Sequence, residues 1–263
     1  MGGTSRGKVL LPSSSTRCFD DASIPTCAAS QSRGYQVMLF RKAVLKVLIA
    51  AWLFATPNQL ALAADITFGT DLTTSRWSIV SFPFKRSITT TIVNTTTLEV
   101  VADRAAGMLW HALPQIPAMA GKAEWSWRAE EGVGPTDLTR KGADDRIMAI
   151  YFVFGQASDK DKDVMSVLNS SSVSALVYVF GGSGTKGTVL PSPHMGARGK
   201  FIILQPATAE RRRWLNEQVE LEADYQRAFG RAPPSLLGIA ISTDSDDTGG
   251  TNKVRIRGIR VGP

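Results

Sequence analysis

Asp144-Asp145-Arg146 is where residue types and spacing most invite chemistry in this chain. Two carboxyls and a guanidinium head an apolar run that closes at Gly155. Successive side chains of a strand face opposite ways, so Asp145 and Arg146 fall on different faces and the three cannot share one task. Counted along the run, Arg146 shares its face with Met148, Ile150 and Phe152. A charge there needs a carboxylate partner, with Glu124 and Asp224 as candidates, or a polar patch to line. In the functional reading, Arg128 and Arg146 grip an anionic or hydroxyl-rich ligand through forked hydrogen bonds, with Asp144 and Asp145 beside them. Trp214, next to Arg211-Arg212-Arg213, is the aromatic best placed to stay partly exposed. Trp125 and Trp127 fall on one face; they form either a sugar-stacking platform or part of a core, and the core is the commoner fate of large aromatics.

A second cluster lies at Asp244, Asp246 and Thr248, followed by Gly249. Oxygens at positions one, three and five with glycine at six copy the first half of a calcium loop. Position twelve is Arg255 where an EF-hand needs glutamate, so a structural calcium would need carboxylates from elsewhere. The alternative is an acidic turn, since Asp and Gly favour turns for their own reasons. No other cofactor is expected. Several chemistries are disfavoured outright. Lys186 in the glycine-rich segment Gly181–Gly187 precedes Gly187 rather than Ser or Thr, so it is no phosphate loop. The chain has 2 histidines, His111 and His194, and no cysteine beyond Cys27, which argues against zinc.

The elements around these residues read as strands. Trp77–Phe82, Ile88–Val93, Thr97–Ala102, Gly107–Leu113 (stopped by Pro114 and Pro117), Ala123–Ala129, Val173–Phe180, Phe201–Leu204, Leu236–Ser242 and Val254–Val261 are short and β-rich, with Asn, Gly and Pro between them. Trp214–Leu221 alternates weakly. Residues 156–171 form a charged excursion with room for a helical turn, and 222–229 read as one short helix ended by Gly230 and Pro233-Pro234. Many short strands without alternating helices predict an all-β fold: a two-sheet antiparallel sandwich resembling a jelly roll.

Ahead of it, Arg41, Lys42 and Lys46 precede the apolar run Val47–Ala55, and Ala61-Leu62-Ala63 has small-x-small form. That is a secretory signal over residues 38–63, cut near Ala63. The run is too short for a comfortable membrane span of ~20 residues. Met38 is the expected start of translation, with 1–37 as a misassigned or disordered extension, 64–76 as a polar arm and 77–263 as one domain. Removing 1–63 leaves 23 basic against 21 acidic residues, so the basic charge belongs to the leader and indicates no nucleic-acid partner.

Trp125-Ser126-Trp127-Arg128, Asp144-Asp145-Arg146, Asp224-Tyr225 with Phe229-Gly230, and Ile239 through Asp244, Asp246 and Thr248 occur in an order that resembles an uncharacterised family of bacterial exported proteins, domain of unknown function 3047. The likeness spans Trp77 to Val261. It implies no catalytic residues; its pattern is similar to galactose-binding-like and other carbohydrate-binding sandwiches. Three functions follow as expectations for a periplasmic or secreted protein. The first is non-catalytic binding of saccharide or another envelope component. The second is a polysaccharide lyase or hydrolase using Arg146, Tyr151, His194 and the aspartates. The third is a structural module of an envelope assembly.

Overall fold

The computed structural model describes residues 63–113, 121–159 and 162–263. The extension 1–37, the signal except Ala63, and the stop at Pro114 and Pro117 lie outside the described residues. Two sheets face each other. One contains β1 (Ala64–Ile66), β3 (Thr89–Asn94), β4 (Thr97–Asp103), β6 (Lys122–Glu131), β11 (Leu215–Glu220) and β13 (Thr251–Gly262), in the order β11-β6-β13-β4-β3 with β1 also on β13. The other contains β2 (Trp77–Ser81), β5 (Ala106–Ala112), β7 (Arg146–Gly155), β8 (Ser174–Phe180), β9 (Val189–Ser192), β10 (Gly196–Gln205) and β12 (Ser235–Asp244), in the order β2-β5-β12-β7-β8-β10-β9. This is the expected all-β two-sheet sandwich. Among the strand pairs of the described residues, one departs from antiparallel pairing: β10 lies parallel to β8.

The alternation of β6 turns Trp125 and Trp127 inward, where they meet edge to face with ring centroids 5.5 Å apart. Both are buried, and the Trp127 indole N–H donates to Glu217 at 3.0 Å, so neither offers a sugar platform. From the facing sheet, Ile150, Phe152 and Phe154 of β7 and Tyr178 and Phe180 of β8 complete this core. The opposite face of β7 is apolar as well. Ala149, Tyr151 and Val153 belong to a second cluster with Val177, Phe201 and Ile203. Burial on both faces explains why the sequence of β7 runs apolar without alternation.

What covers that outer face comes from the excursion. Asp163 caps α1 (Val164–Asn169), accepting from the N–H of Met165 at 3.0 Å and of Ser166 at 3.1 Å. Val164, Val167 and Leu168 then pack onto the outer cluster. Thus the described residues hold two α-helices and not one. The other, α2 (Leu221–Phe229), ends where expected, with Gly230 left-handed at φ 72° and its N–H on the Gln226 carbonyl. The N-terminal arm is also part of the sandwich. Phe68 is fully buried and stacks on Trp77 at 5.2 Å.

Candidate functional site

Position 146 sits on a β-bulge. Ser242 of β12 pairs with Ala149 and Asp244 with Arg146, so three steps along β7 match two along β12. Ile147 and Met148 therefore both enter the inter-sheet core, and Arg146 swings to the outer face with Tyr151. The expected neighbours Met148, Ile150 and Phe152 are on the other side of the sheet. Side chains take up the backbone groups that the bulge frees. Thr243 donates to the Ile147 carbonyl at 2.9 Å, and the buried Asn252 of β13 donates to the carbonyls of Arg146 at 3.0 Å and Asp244 at 2.7 Å. Gly181 passes so close that a Cβ there would lie 3.0 Å from the Arg146 Cα.

Arg146 is thereby placed at the floor of a cleft of about 420 Å³ on the outer face of the seven-stranded sheet. Its Nη1 lies 3.3 Å from Asp144 Oδ2 and 3.5 Å from Asp244 Oδ2. Its Nη2 donates to the Tyr151 hydroxyl at 2.9 Å and to Ser242 Oγ at 3.3 Å. The expected partners are elsewhere: Glu124 binds Arg260, and Asp224 binds Tyr178 and Arg227. His194, from the turn between β9 and β10, brings Nε2 to 2.9 Å from Asp144 Oδ2. Its side chain is 47% exposed while that of Asp144 is 2% exposed, so the imidazole, not the carboxylate, meets the solvent of the cleft.

The two carboxyls on Arg146 differ in their hold on a proton. Burial alone would lift Asp144, but the His194 hydrogen bond and the charges of Arg146 and His194 outweigh it and leave the carboxyl below its ordinary value. For Asp244, burial dominates, the like charges of Asp145 and Asp144 add to it, and Arg146 opposes them; the pKa is pushed up to about 6. Its Oδ1 is buried with no hydrogen-bond partner among the described residues, and Oδ2 is the oxygen turned toward Arg146. Arg146 stays charged: burial works against its protonation, but Tyr151, Asp244 and Asp144 more than compensate.

The remaining expected site residues separate. Arg128 lies on β6 of the other sheet and pairs with Glu130 at 2.7 Å. Trp214 is half-buried under the Arg257 guanidinium, 4.0 Å from its ring centroid. Neither joins Arg146. Asp145 is fully buried and serves the turn after β12, accepting from Thr248 N at 2.7 Å, Thr248 Oγ1 at 2.6 Å and Asp247 N at 3.3 Å. The calcium set accordingly does not converge. Asp244 is on Arg146, Thr248 donates its hydroxyl to Asp145, and Asp246 is paired with the Lys85 ammonium. Asp145, Asp246 and Asp247 do bring oxygens within 4.8 Å of one another, and Lys85 supplies a cation to that group. Ser242, on Arg146, and Lys85, on Asp246, join the site without a motif in the sequence to mark them. The polar run Ser242-Thr243-Asp244 closing the apolar β12 was the available signal for the first, and Lys85 had none.

Fold and cleft together define a β-sandwich protein with an ion-paired cluster at the floor of a cleft on one sheet. Over residues 75–260 the chain matches the family described as "Protein of unknown function (DUF3047)", and it belongs to that family. None of the curated proteins matches it. Among solved structures it is similar to the xyloglucanase domain of NopAA, a type three effector from Sinorhizobium fredii, with 9% identity, a TM-score of 0.40, and coverage of 71% of this chain and 93% of that one. An ENZbleach xylanase mutant gives 10% identity and a TM-score of 0.37 over 79% of this chain and 93% of the other. The K3 cleaved adhesin domain of Lys-gingipain from Porphyromonas gingivalis gives 8% and 0.31 over 76% and 99%. No helix among the described residues is long and apolar enough to cross a membrane.

Proposed function

We propose that the cleft takes a saccharide chain and hydrolyses a glycosidic bond in it, and that the protein is exported, cut near Ala63, to do so. The observation that supports this reading is the convergence of Asp144 and Asp244 on Arg146 in an open cleft, one carboxyl held ionised and the other inclined to keep its proton. Such divergence is how one site supplies both an acid and a base near neutrality. Asp244, which lines the cleft, gives the proton to the leaving glycosidic oxygen from Oδ2, since its Oδ1 is sealed. His194, oriented by Asp144, takes a proton from the water that attacks the anomeric carbon; the carbon–oxygen bond breaks as the new one forms. Asp144 is too sealed to attack or to accept from bulk water itself. Phe82, Pro83 and Met108 along the wall suit the C–H faces of sugar rings, and Asn169, Ser192 and Lys141 suit their hydroxyls.

The test is release of reducing ends from a panel of soluble polysaccharides by purified residues 64–263, beside Asp244→Asn and His194→Gln. Activity in the wild type that falls at least about 100-fold in both variants is expected. A second reading, binding without cleavage, has its own support: the Arg146 and Asp144 side chains are only 6% and 2% exposed, as in a structural ion pair. Retention of a polysaccharide with no product from any member of the panel would decide for it.

A further inference from the structure

Phe84 is fully exposed, at 107% of its reference area, and its backbone is left-handed with φ 63°. Both facts run against ordinary chain economy. The Lys85 N–H donates to the Phe82 carbonyl at 3.2 Å, so Phe82-Pro83-Phe84-Lys85 is a tight turn. Proline second and a positive φ third are the marks of a type II turn, whose third place belongs to glycine or asparagine. A bulky residue there is an outlier. The other three non-glycine residues at positive φ among the described residues are arginines. Phe84 contributes nothing to the core in return for its strain, and such outliers persist where the surrounding structure fixes them for a use.

The surroundings do fix it. Lys85 is paired with Asp246 and lies 3.6 Å from Asp247, in the turn that follows Asp244. Behind it, Ser81 and Ser87 share a hydrogen bond of 2.9 Å, and the Arg86 carbonyl accepts from Ala106 at 3.1 Å. Phe82, Pro83 and Lys85, on either side of Phe84, line the cleft. An aromatic ring is thus held out at the cleft's lip on the edge that carries Asp244. We infer that Phe84 forms a ring-stacking subsite that takes the C–H face of a sugar unit lying just outside the cleft. The inference rests on the saccharide reading of the cleft. A flat ring on a pinned turn offers contact area with little conformational freedom to lose.

The test uses residues 64–263 as wild type, Phe84→Ala, Phe84→Gly and Phe84→Trp, in affinity electrophoresis through gels of xyloglucan, xylan, mixed-linkage β-glucan and alginate, with thermal melts alongside. On a polysaccharide that retards the wild type, Phe84→Ala and Phe84→Gly should weaken retention by about tenfold and Phe84→Trp should restore it. Phe84→Gly, freed of the left-handed strain, should melt about 2–4 °C higher while binding worse. Retention unchanged in Phe84→Ala would overturn the stacking role and leave the cleft reading intact. So would a loss seen only in a parallel flotation assay with phosphatidylglycerol vesicles, which would mark Phe84 as a lipid contact. A wild type retarded by none of the four defeats the saccharide reading and this inference with it. A lower melting temperature in Phe84→Gly would remove the argument from strain.

Discussion

Replacing Asp244 by asparagine should stabilise the protein above pH 6 and leave it unchanged in acid. The folded-state pKa is about 6 against an ordinary 3.8, so the native state holds this proton more tightly than the unfolded chain does. The stabilisation that follows is complete below the unfolded value and is lost as pH rises through the folded one. Two units of difference correspond to about 3 kcal/mol. With the side chain only 16% exposed, little of that is screened by solvent. Asparagine has no proton to lose, so its advantage should grow from nothing near pH 3.5 to about 1–3 kcal/mol at pH 8; loss of the weaker Arg146 contact sets the lower figure. In a domain of this size that is roughly 2–4 °C per kcal/mol. Thermal melts of both proteins from pH 3.5 to 8 give the difference curve directly. A difference that does not change with pH, or a variant less stable at pH 8, would refute the burial argument for Asp244.

Arg146→Met strands Asp144 and Asp244 without their shared cation and should cost about 3–5 kcal/mol in urea unfolding at pH 7, with most of the loss recovered at pH 4 as Asp244 regains its proton. Asp145→Ala removes the acceptor of three hydrogen bonds from the turn after β12 and should cost about 2–4 kcal/mol, with amide exchange accelerated at Asp247 and Thr248. His194→Gln, on a half-exposed residue, should move the unfolding midpoint by less than about 1 kcal/mol while raising the Asp144 carboxyl, read by its ¹³C titration.

The frame was legible because its signals are local. Alternation in Ala123–Ala129 places both tryptophans on one face, Asn94 falls between two β-rich runs that pair as β3 and β4, and Gly230 ends a helix. Asp163 with Ser166 three residues on carried the cap of α1, but the helix it begins is a turn and a half of mixed residues. The bulge in β7 leaves no such mark. Ile147 and Met148 are both apolar and suit either face, so the slip that turns Arg146 toward Tyr151 follows only from pairing with β12. The direction of β10 beside β8 depends likewise on where the β9 hairpin folds back. The candidate site shows the same division. Asp144, Arg146, Tyr151 and His194 are identifiable by type, whereas Asp244 carries two meanings in the sequence, a calcium ligand or part of an acidic turn, because its spacing to Asp246 and Thr248 suits both. What separated those two meanings was Lys85 and Asp145, distant in sequence, taking Asp246 and Thr248 away.

Carboxyl ¹³C chemical shifts of Asp144 and Asp244, followed from pH 2 to 9 in the folded wild type, address the acid–base claim without needing a substrate. Asp244 should titrate near 6 and Asp144 below the ordinary carboxylate range. Two carboxyls titrating together near 4 would contradict that claim, since the cleft would then hold no proton to donate at neutral pH.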